Sequence, residues 1–421
     1  MTDATLKQQA VRLGKQAKIA ARQLAPLSSA EKNRALLLMA EKLEAKSGFL
    51  IEENQKDLEF ATANGVSAAI LDRIALNPSR VQAMAQGLRD VAALPDPVRE
   101  VVKMWRRPNG LQVGRMRIPL GVIGMIYEAR PNVTADAAAL CLKSGNAVIL
   151  RGGSEAHQSN QAIGAVLREA CAATKVPQDA VQVVQVKDRA LVNELLQLED
   201  YIDLIIPRGG EDLIRAVVAN SKIPVIKHYK GVCHVYVDSE ASLEMAERIC
   251  FNAKVQRPSV CNAMETLLVH EAVAGKFLPA MIEKYRAAKV EVRGCVKTCA
   301  LVPGVTPANE ADWSTEYLEL IVSVRVVKDI DEAIGHIEQY GSDHTESIIT
   351  NNYQRSREFI DRVNSSAVMV NASTRFNDGG ELGLGAEIGI STSKIHAFGP
   401  MGLEELTTTK FIIFGDGQIR E

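Results

Sequence analysis

Short apolar runs alternate with amphipathic helical stretches between residues 119 and 370, and this alternation constrains the fold more than any other feature. Strand–helix alternation predicts a parallel sheet with helices on both faces. The pattern passes through two rounds, which predicts two consecutive doubly wound α/β units that join near residues 229–231. The predicted strands are Val122–Tyr127, Ala147–Leu150, Val181–Val186, Tyr201–Ile206, Ile223–Ile226, His234–Val237, Thr266–His270, Leu318–Val327, Ser347–Thr350 and Ala367–Val370, with helices at Leu243–Phe251, Glu332–Gln339 and Gln354–Val363.

The two ends of the chain have a different character. Residues 1–105 show helical periodicity, and Ser28–Glu31 has the residue types of a capping box. A turn at 107–110 followed by the alternating stretch 111–118 predicts a β-hairpin. Because so short a ribbon cannot bury itself alone, we expect the C-terminal run Lys410–Phe414 to pair with it.

Length and composition limit the class of protein. A chain of 421 residues is long enough for two or three folded units. Its 47% hydrophobic and 24% charged residues are ordinary globular values and exclude a disordered or fibrous chain. With 49 Lys and Arg against 51 Asp and Glu, it lacks the basic character of a nucleic-acid binder. No apolar run approaches the roughly 18 residues that cross a bilayer. We therefore predict neither nucleic-acid nor membrane partners.

Seven cysteines, an odd number scattered along the chain, predict reduced thiols and a cytoplasmic protein rather than a disulfide scaffold. Cys295 and Cys299 lie four apart, but no second Cys/His pair follows at zinc-site spacing, so no metal site is predicted. The basic stretch Leu6–Leu24 fits an organellar transit peptide or a surface helix of the fold, and we favour the helix.

Cys261 is the strongest candidate for a nucleophile. Pro258 disfavours helix just before it, so Cys261 is predicted to lie on a loop between the helix ending near Phe251 and the strand beginning at Thr266. Positive charge from Lys254 and Arg257 would lower the pKa of a thiol on such a loop. The alternative from these residues alone is that Cys261 is a small buried hydrophobe.

Two similar turns are candidates for binding phosphate. Arg151–Ser154 follows one predicted strand and Arg208–Glu211 follows another, and both contain paired glycines. Such turns let backbone N–H groups approach an anion at the start of a helix, although a tight strand–helix turn alone would also explain them. His228 ends a predicted strand at the joint between the two units, a position suited to a cleft, whereas His157, His336 and His344 are equally compatible with surface positions.

Four segments together resemble the aldehyde dehydrogenase superfamily and, within it, the gamma-glutamyl phosphate reductase family. They are Gly121–Asn132, Lys143–Arg151, Asn252–Glu265 and Ser391–Pro400, and the match runs in order along nearly the whole chain. The resemblance implies an aldehyde dehydrogenase-like α/β fold and identifies Cys261 as the catalytic nucleophile.

The implied reaction is the NADPH-dependent reduction of L-glutamyl 5-phosphate to L-glutamate 5-semialdehyde and phosphate, a step of proline biosynthesis. In it, Cys261 would form a thioester and then a thiohemiacetal. The backbone N–H of Cys261 and the side chain of Asn132 are the implied oxyanion donors. Another phosphorylating or hydrolytic semialdehyde dehydrogenase of the same superfamily is the alternative.

The resemblance also implies the residues that bind the cofactor and the substrate. Arg151 stands where the superfamily has a lysine near the adenosine ribose, and an arginine there favours NADP over NAD. Glu316 aligns with a glutamate that holds the nicotinamide ribose, or else is a solvated acid at a strand edge. The cofactor-binding residues are therefore Arg151, Gly152, Gly153, Ser154, Arg208, Gly209, Gly210 and Glu316, and the substrate-binding candidates are Glu128, Arg130, Arg257, Arg375, Lys394 and His396.

His228 marks a departure within the superfamily. Hydrolytic members carry a glutamate that activates water at this position. A thioester that awaits hydride must not meet an activated water, so we assign His228 no base role. It is expected either to contact phosphate or to be structural.

The resemblance also implies a domain organisation. Residues 1–105 and 119–230, with part of 383–403, would form a cofactor-binding domain, and residues 231–382 would form a catalytic domain. Residues 106–118 and 404–421 would form a β oligomerisation flap, which predicts at least a homodimer. Glutamate 5-kinase is a candidate protein partner.

Two other classes of function are also compatible with the residues. A thiol acyltransferase would use Cys261 without a pyridine nucleotide. An inactive assembly partner of glutamate 5-kinase would not depend on Cys261 at all.

Overall fold

The computed structural model describes residues 3–128 and 130–420, and the chain divides into two compact units. The first unit comprises Met1–Lys227, Leu384–Gly389 and Met401–Glu421, and the second comprises His228–Gly383 and Ile390–Pro400. The predicted domain ranges also include residues 1, 2, 129 and 421, which lie outside the described residues. In the described ranges no helix is both long and apolar enough to span a membrane.

The first unit combines a helical N-terminal region with a four-stranded parallel sheet in the order β5-β4-β3-β6. Helices α2, α5 and α7 pack together, and α1 packs against β4. The predicted capping box at the start of α2 is confirmed, with Ser28 and Glu31 bonded reciprocally. The helices are α1 Asp3–Leu24, α2 Ser29–Ala45, α3 Ser47–Ala63, α4 Ala68–Ile74, α5 Pro78–Ala93, α6 Asn132–Lys143, α7 His157–Ala172, α8 Arg189–Leu195 and α9 Glu211–Asn220, and the sheet strands are β3 Val122–Tyr127, β4 Ala147–Arg151, β5 Val181–Val183 and β6 Leu204–Arg208.

A separate antiparallel ribbon completes the first unit. Its strands are β1 (Val101–Arg106), β2 (Gln112–Pro119) and β16 (Thr407–Phe414), in the order β1-β2-β16. The predicted pairing of the C-terminal strand with the hairpin is therefore confirmed. The prediction of helix throughout residues 1–105 was wrong at its end, because β1 begins at Val101 and pairs with β2.

The second unit is built on a seven-stranded parallel sheet in the order β10-β9-β11-β8-β7-β12-β13. Its strands are β7 Cys233–Val237, β8 Met264–His270, β9 Glu291–Gly294, β10 Thr306–Pro307, β11 Ile321–Val327, β12 Thr345–Ile349 and β13 Ala367–Val370, and its helices are α10 Leu243–Val255, α11 Glu271–Ala287, α12 Val296–Leu301, α13 Ile330–Tyr340 and α14 Tyr353–Arg362. A two-stranded ribbon pairs β14 (Gly389–Ser391) with β15 (Gly399–Met401).

Helices cover both faces of this second sheet, as the alternation predicts. Successive side chains of a strand point to opposite faces. Accordingly, Val235 packs in a core with α10 and α11, whereas the next residue, Tyr236, packs with α13 and α14 and stacks on Phe359. Both cores are buried, and together they fix the plane and register of the sheet.

Four predicted strands are longer than the observed ones. Leu318 has a φ of 56°, which ends the extended backbone, so the strand predicted from Leu318 starts at Ile321. Pro224 has no N–H group, and the predicted strand Ile223–Ile226 is reduced to one bridge between Val225 and Ile205. The other two shortened strands are Val181–Val186, which ends at Val183, and Tyr201–Ile206, which begins at Leu204.

A buried cation ties the N-terminal helices of the first unit to the segment after α5. Lys32, on α2, is 1% exposed, and its ammonium lies 2.5 Å from the carboxylate of Asp96 and 2.8 Å from the carbonyl oxygen of Lys143. Burial lowers the pKa of Lys32, and the Asp96 carboxylate opposes that shift. The Asp96 carboxylate and the Lys143 carbonyl therefore offset part of the cost of burying the Lys32 ammonium.

We expect Lys32→Met to lower the free energy of unfolding by about 3–5 kcal/mol, because it leaves a largely buried carboxylate without its cation. Urea denaturation measures the loss. The matched control is Lys18→Met, whose partner Asp203 and own side chain are each 29% exposed. This second change should lower the free energy by about 1 kcal/mol or less. Equal losses in the two variants would contradict the role given to burial.

Candidate active site

The amino ends of three adjacent strands form the candidate site in the second unit. Strands β8, β7 and β12 are neighbours and parallel, so their amino ends lie along one edge of the sheet. Cys261 precedes β8, the segment His228–Gly231 precedes β7, and His344 comes directly before β12. Residues far apart in the chain are thereby brought together by strand order.

Cys261 is half-buried, whereas Cys141, Cys171, Cys233 and Cys250 are buried. Its sulfur and one ring nitrogen each of His228 and His344 lie within 4.8 Å of one another. The alternative that Cys261 is a buried core residue is therefore wrong. The sulfur lies on a loop, as the sequence predicts, and two imidazoles stand beside it.

The backbone of Cys261 is held by the approach to β7. The thiol of Cys233 donates to the carbonyl oxygen of Cys261 at 3.1 Å. A Cβ atom added to Gly231 would lie only 2.0 Å from the same oxygen, so the two backbones touch directly. Gly231 also donates its N–H to Oε1 of Glu316 at 2.9 Å. This contact gives Glu316 a structural role at the strand edge.

The two imidazoles are fixed through their Nδ1 atoms. Nδ1 of His228 lies 2.8 Å from the carbonyl oxygen of Ile390, to which it donates. Nδ1 of His344 lies 2.7 Å from the hydroxyl oxygen of Thr345. Burial, followed by the charge of His228, lowers the pKa of His344 to about 3, so His344 is neutral near pH 7. Of the two positions left open for His344 and His336, the surface is excluded, since they are 0% and 3% exposed.

Two of the predicted substrate-binding arginines lie near Cys261. Arg375 is half-buried, contacts the side-chain oxygen of Asn262 and donates to Oε1 of Gln256 at 2.8 Å. Burial lowers the pKa of Arg375, the charge of Arg257 lowers it further, and the charges of Asp378 and then Cys261 oppose both. Arg375 therefore interacts electrostatically with the sulfur of Cys261. Sequence reasoning missed Asn262, although its position next to Cys261 could have drawn attention to it.

Lys254, which was expected to act on the thiol, is instead neutralised by an acid. Its ammonium lies 2.6 Å from the carboxylate of Glu265, and both side chains are fully buried. Burial raises the pKa of Glu265 and lowers that of Lys254, while each charge opposes the shift of the other. The second oxygen of Glu265 accepts the N–H of Leu318 at 3.3 Å. The pair therefore anchors the segment that carries Glu316.

The remaining candidates of the second unit lie between β14 and β15. Lys394 and His396 are exposed, and the ammonium of Lys394 lies 5.7 Å from the centre of the Phe398 ring. His396 has a φ of 76°, a left-handed conformation that is uncommon outside glycine.

The cofactor-binding candidates of the first unit lie at the carboxyl ends of parallel strands. Arg151–Ser154 follows β4 and leads through a short 3₁₀ turn into α7, and Arg208–Gly210 joins β6 to α9. Glu128 follows β3, which lies between them in the sheet, and its carboxylate accepts the Gly210 N–H at 2.9 Å. Glu128, a predicted substrate ligand, thus contacts a backbone amide that is predicted to bind phosphate.

Arg151 is surrounded by further positive charge. Its guanidinium donates to the carbonyl oxygens of Gly152 at 3.1 Å and Lys187 at 3.2 Å. Burial lowers the pKa of Arg151, the charge of Arg189 lowers it further, and Glu155 opposes these effects. A Cβ atom at Gly152 would lie 2.1 Å from the amide nitrogen of Asn160, so the turn packs closely against α7.

Asn132, the predicted oxyanion donor, opens α6 in the first unit. It is exposed, and its amide nitrogen donates to a carboxylate oxygen of Asp136 at 2.9 Å. Burial raises the pKa of Asp136 from 3.8 to about 6, against the opposing effects of Asn132 and Arg208. Arg130, another substrate candidate, precedes this helix and is half-buried.

We expect Asp136→Asn to flatten the pH dependence of stability between about pH 4 and pH 6. In that window the folded parent retains a proton that the unfolded chain has released, so its stability falls as pH rises. The amide cannot titrate, and the variant should lose a slope of at most about 1.4 kcal/mol per pH unit. Urea denaturation across this range measures the slope. Identical slopes in parent and variant would contradict the raised pKa.

Comparisons with known proteins agree with this geometry. A model of the aldehyde dehydrogenase family matches residues 2–312. A gamma-glutamyl phosphate reductase from Desulfatibacillum aliphaticivorans is 60% identical over 408 residues, which cover 97% of this chain and 98% of the relative. One from Geotalea daltonii is 58% identical over 417 residues, covering 99% and 100%.

A solved structure agrees over the same length. The crystal structure of gamma-glutamyl phosphate reductase from Thermotoga maritima is 48% identical and superposes with a TM-score of 0.96, covering 98% of this chain and 100% of that one. The chain therefore belongs to the aldehyde dehydrogenase family and, within it, to the gamma-glutamyl phosphate reductases.

Proposed function

We propose that this chain reduces L-glutamyl 5-phosphate to L-glutamate 5-semialdehyde and phosphate with NADPH, as a step of proline biosynthesis. The observation that carries the proposal is the half-buried Cys261, which interacts electrostatically with Arg375, itself close to Arg257. Cys261 belongs to a chain that is 60% identical to a protein named gamma-glutamyl phosphate reductase. A nucleophile next to fixed positive charge suits an anionic acyl phosphate.

The chemistry assigned to Cys261 has two parts. Its thiolate attacks the acyl carbon, a C–S bond forms, and the C–O bond to phosphate breaks to leave a thioester. Bound NADPH supplies a hydride. The resulting thiohemiacetal then releases the aldehyde and regenerates the Cys261 thiolate. The backbone N–H of Cys261 and the Asn132 amide, whose nitrogen carries a second hydrogen besides the one given to Asp136, are the proposed donors to the oxyanion.

Substrate binding is assigned first to the two arginines near Cys261. Asn262 holds Arg375, and the side chain of Asn262 is itself held by the carbonyl oxygen of Asn377 at 3.0 Å. A guanidinium fixed in this way can pair with a carboxylate or a phosphate through two N–H groups. Glu128, Arg130, Lys394 and His396 complete the proposed set for the amino-acid and phosphate ends.

The first unit fits a phosphate-bearing dinucleotide. Cβ atoms at Gly152 and Gly153 would each lie 2.1 Å from a side-chain atom, so the turn after β4 leaves little room for a residue other than glycine. Arg151 and Arg189 supply charge for a 2′-phosphate, which favours NADP. The proposed cofactor contacts are Arg151, Gly152, Gly153, Ser154, Arg208, Gly209 and Gly210, with Glu316 toward the nicotinamide ribose.

We expect Cys261→Ala to abolish turnover, with a fall in kcat of about 10⁴-fold or more. The assay supplies glutamate semialdehyde, phosphate and NADP, and follows the absorbance of the reduced nicotinamide. Cys295→Ala is the matched control, because Cys295 is also half-buried. Turnover by Cys261→Ala would contradict the mechanism, whereas the absence of turnover by the parent would fit an inactive assembly partner.

Phosphate distinguishes the alternatives in the same assay. A phosphorylating enzyme needs phosphate for oxidation, whereas a hydrolytic relative turns over in its absence. Acylation of Cys261 without nicotinamide reduction would favour a thiol acyltransferase. The parent should therefore show no oxidation until phosphate is added.

We expect Arg151→Ala to lower kcat/KM for NADPH by about 10–100-fold, since a charged hydrogen bond contributes about 1.5–3 kcal/mol. The value for NADH should change little. Arg34→Ala is the control, because Arg34 is an exposed arginine on α2. Equal losses with both nucleotides would contradict the contact with the 2′-phosphate.

We propose that the β1-β2-β16 ribbon is an oligomerisation flap and that the chain forms at least a homodimer. Its outer strand β16 exposes Phe411, Ile413 and Phe414 at 63%, 60% and 58%. An apolar edge strand of this kind is suited to pairing with a second copy.

We expect the double change Phe411→Asp and Ile413→Asp to yield a monomer of about 45.7 kDa by light scattering. Charge placed on an apolar interface opposes its burial. Ile19→Asp, at a 56% exposed position on α1, should leave the parent's mass unchanged. A monomeric parent would contradict the flap's role.

We also propose a cytoplasmic location and a supply of substrate from glutamate 5-kinase. None of the seven cysteines, all of which lie in the described ranges, forms a disulfide, which fits a reducing compartment. An acyl phosphate of glutamate arises by phosphoryl transfer to its side-chain carboxylate, which is a kinase reaction. A coupled assay with that kinase, ATP and glutamate tests the supply, and cell fractionation tests the location.

A further inference from the structure

Three metal-ligating side chains meet at the amino edge of the second sheet. The sulfur of Cys261 and a ring nitrogen each of His228 and His344 lie within 4.8 Å of one another. Tetrahedral zinc with bonds of about 2.0–2.3 Å requires its sulfur and nitrogen ligands to stand about 3.6 Å apart. The atoms therefore need to close by at most about 1.2 Å, a movement that small χ rotations can supply.

Hydrogen bonds already orient both imidazoles in the way that metal ligands require. Metal-bound histidines usually donate their other ring nitrogen to an oxygen, which fixes the tautomer. Nδ1 of His228 contacts the carbonyl oxygen of Ile390 at 2.8 Å, and Nδ1 of His344 contacts the hydroxyl of Thr345 at 2.7 Å. These contacts occupy Nδ1 of each ring and leave Nε2 as the nitrogen that can bind an ion.

An unpartnered atom supports the same site independently. His344 is 0% exposed, and its Nε2 has no hydrogen-bond partner among the described residues. A buried polar atom without a partner is unfavourable, so native structures usually satisfy it with protein, water or an ion. A metal ion held by Cys261 and His228 would satisfy the Nε2 of His344.

We propose that Cys261, His228 and His344 form a site for a soft divalent metal ion, with Zn²⁺ as the preferred ion. The Cys261 thiol loses its proton to solvent, its sulfur and two neutral imidazole nitrogens bind the ion, and water takes the fourth position. The occupied sulfur cannot attack an acyl group. Binding is therefore reversible inhibition, and only this inhibitory consequence rests on the proposed function of Cys261.

The ligand set and the surrounding charge define the expected behaviour. A thiolate with two imidazoles selects Zn²⁺ over Mg²⁺ and Ca²⁺, which prefer oxygen ligands. The nearby positive charges of Arg375 and Arg257 disfavour a bound metal cation, whereas the negative charge of the Cys261 thiolate favours it. The site should therefore release its metal to a chelator and not serve as a permanent structural centre.

Metal binding can be measured without any substrate. The untagged full chain is stripped with EDTA, titrated with Zn²⁺ in equilibrium dialysis and analysed for metal content. Co²⁺ serves as a second probe, because thiolate coordination gives it a characteristic near-ultraviolet absorption. We expect one ion per chain and protection of Cys261 from iodoacetamide by Zn²⁺, with no protection by Mg²⁺.

Variants identify the ligands. Cys261→Ala and His344→Asn should each weaken Zn²⁺ binding by at least about 100-fold, more than the 10–100-fold typical of losing an outer-shell partner. His336→Asn is the matched control, since His336 is also buried and its Nε2 also lacks a partner among the described residues. Parent protein alkylated at Cys261 provides a folded test that does not depend on the His344 variant.

The outcomes separate this proposal from the proposed function. Zn²⁺ binding that survives alkylation of Cys261, or that is lost only when Cys295 and Cys299 are replaced, overturns the site. An enzyme that turns over and binds no Zn²⁺ also overturns it, and leaves the reductase assignment intact. Stoichiometric binding at Cys261 in a chain that does not turn over would uphold the site and refute the reductase.

Discussion

Parallel strand pairing is the constraint on which both candidate sites depend. In a parallel sheet all amino ends lie along one edge and all carboxyl ends along the other. The second unit uses the amino edge, where loops before three adjacent strands assemble Cys261, His228 and His344. The first unit uses the carboxyl edge, where two glycine turns and Glu128 meet. Neither group is local in sequence, and each exists because strand order brings distant segments to the same edge of a sheet.

Buried polar pairs stabilise β8, the strand that follows the loop with Cys261, and the strands next to β8 in the sheet. Glu265, on β8, is held by Lys254 from α10, and Glu346, on β12, accepts both the backbone N–H and the ring of His234 at 2.9 Å. Removing one partner of such a pair leaves an uncompensated buried charge. The strands under the site are therefore linked by interactions that tolerate little displacement.

The sequence predicted the order of strands and helices well, because strand–helix alternation and turn residues are local signals. It also predicted the loop that carries Cys261, and the resemblance identified Asn132, Arg375 and Glu316 as candidates. The sequence did not predict which residues meet where strand order across the sheet decides their neighbours. A surface position stays open for His344 in the sequence, since nothing local shows that β12 lies beside β7. Similarly, Lys254 precedes Cys261 by seven residues, yet its ammonium is neutralised by Glu265.

Gly231 has a further consequence for how such a site changes over evolutionary time. Because Gly231 has no side chain, its backbone packs directly against the carbonyl oxygen of Cys261. Backbone geometry therefore sets the position of the sulfur, and neighbouring side chains influence that position only weakly. Substitutions around the loop can alter charge or specificity while the reacting atom keeps its place, but any side chain at position 231 would displace it.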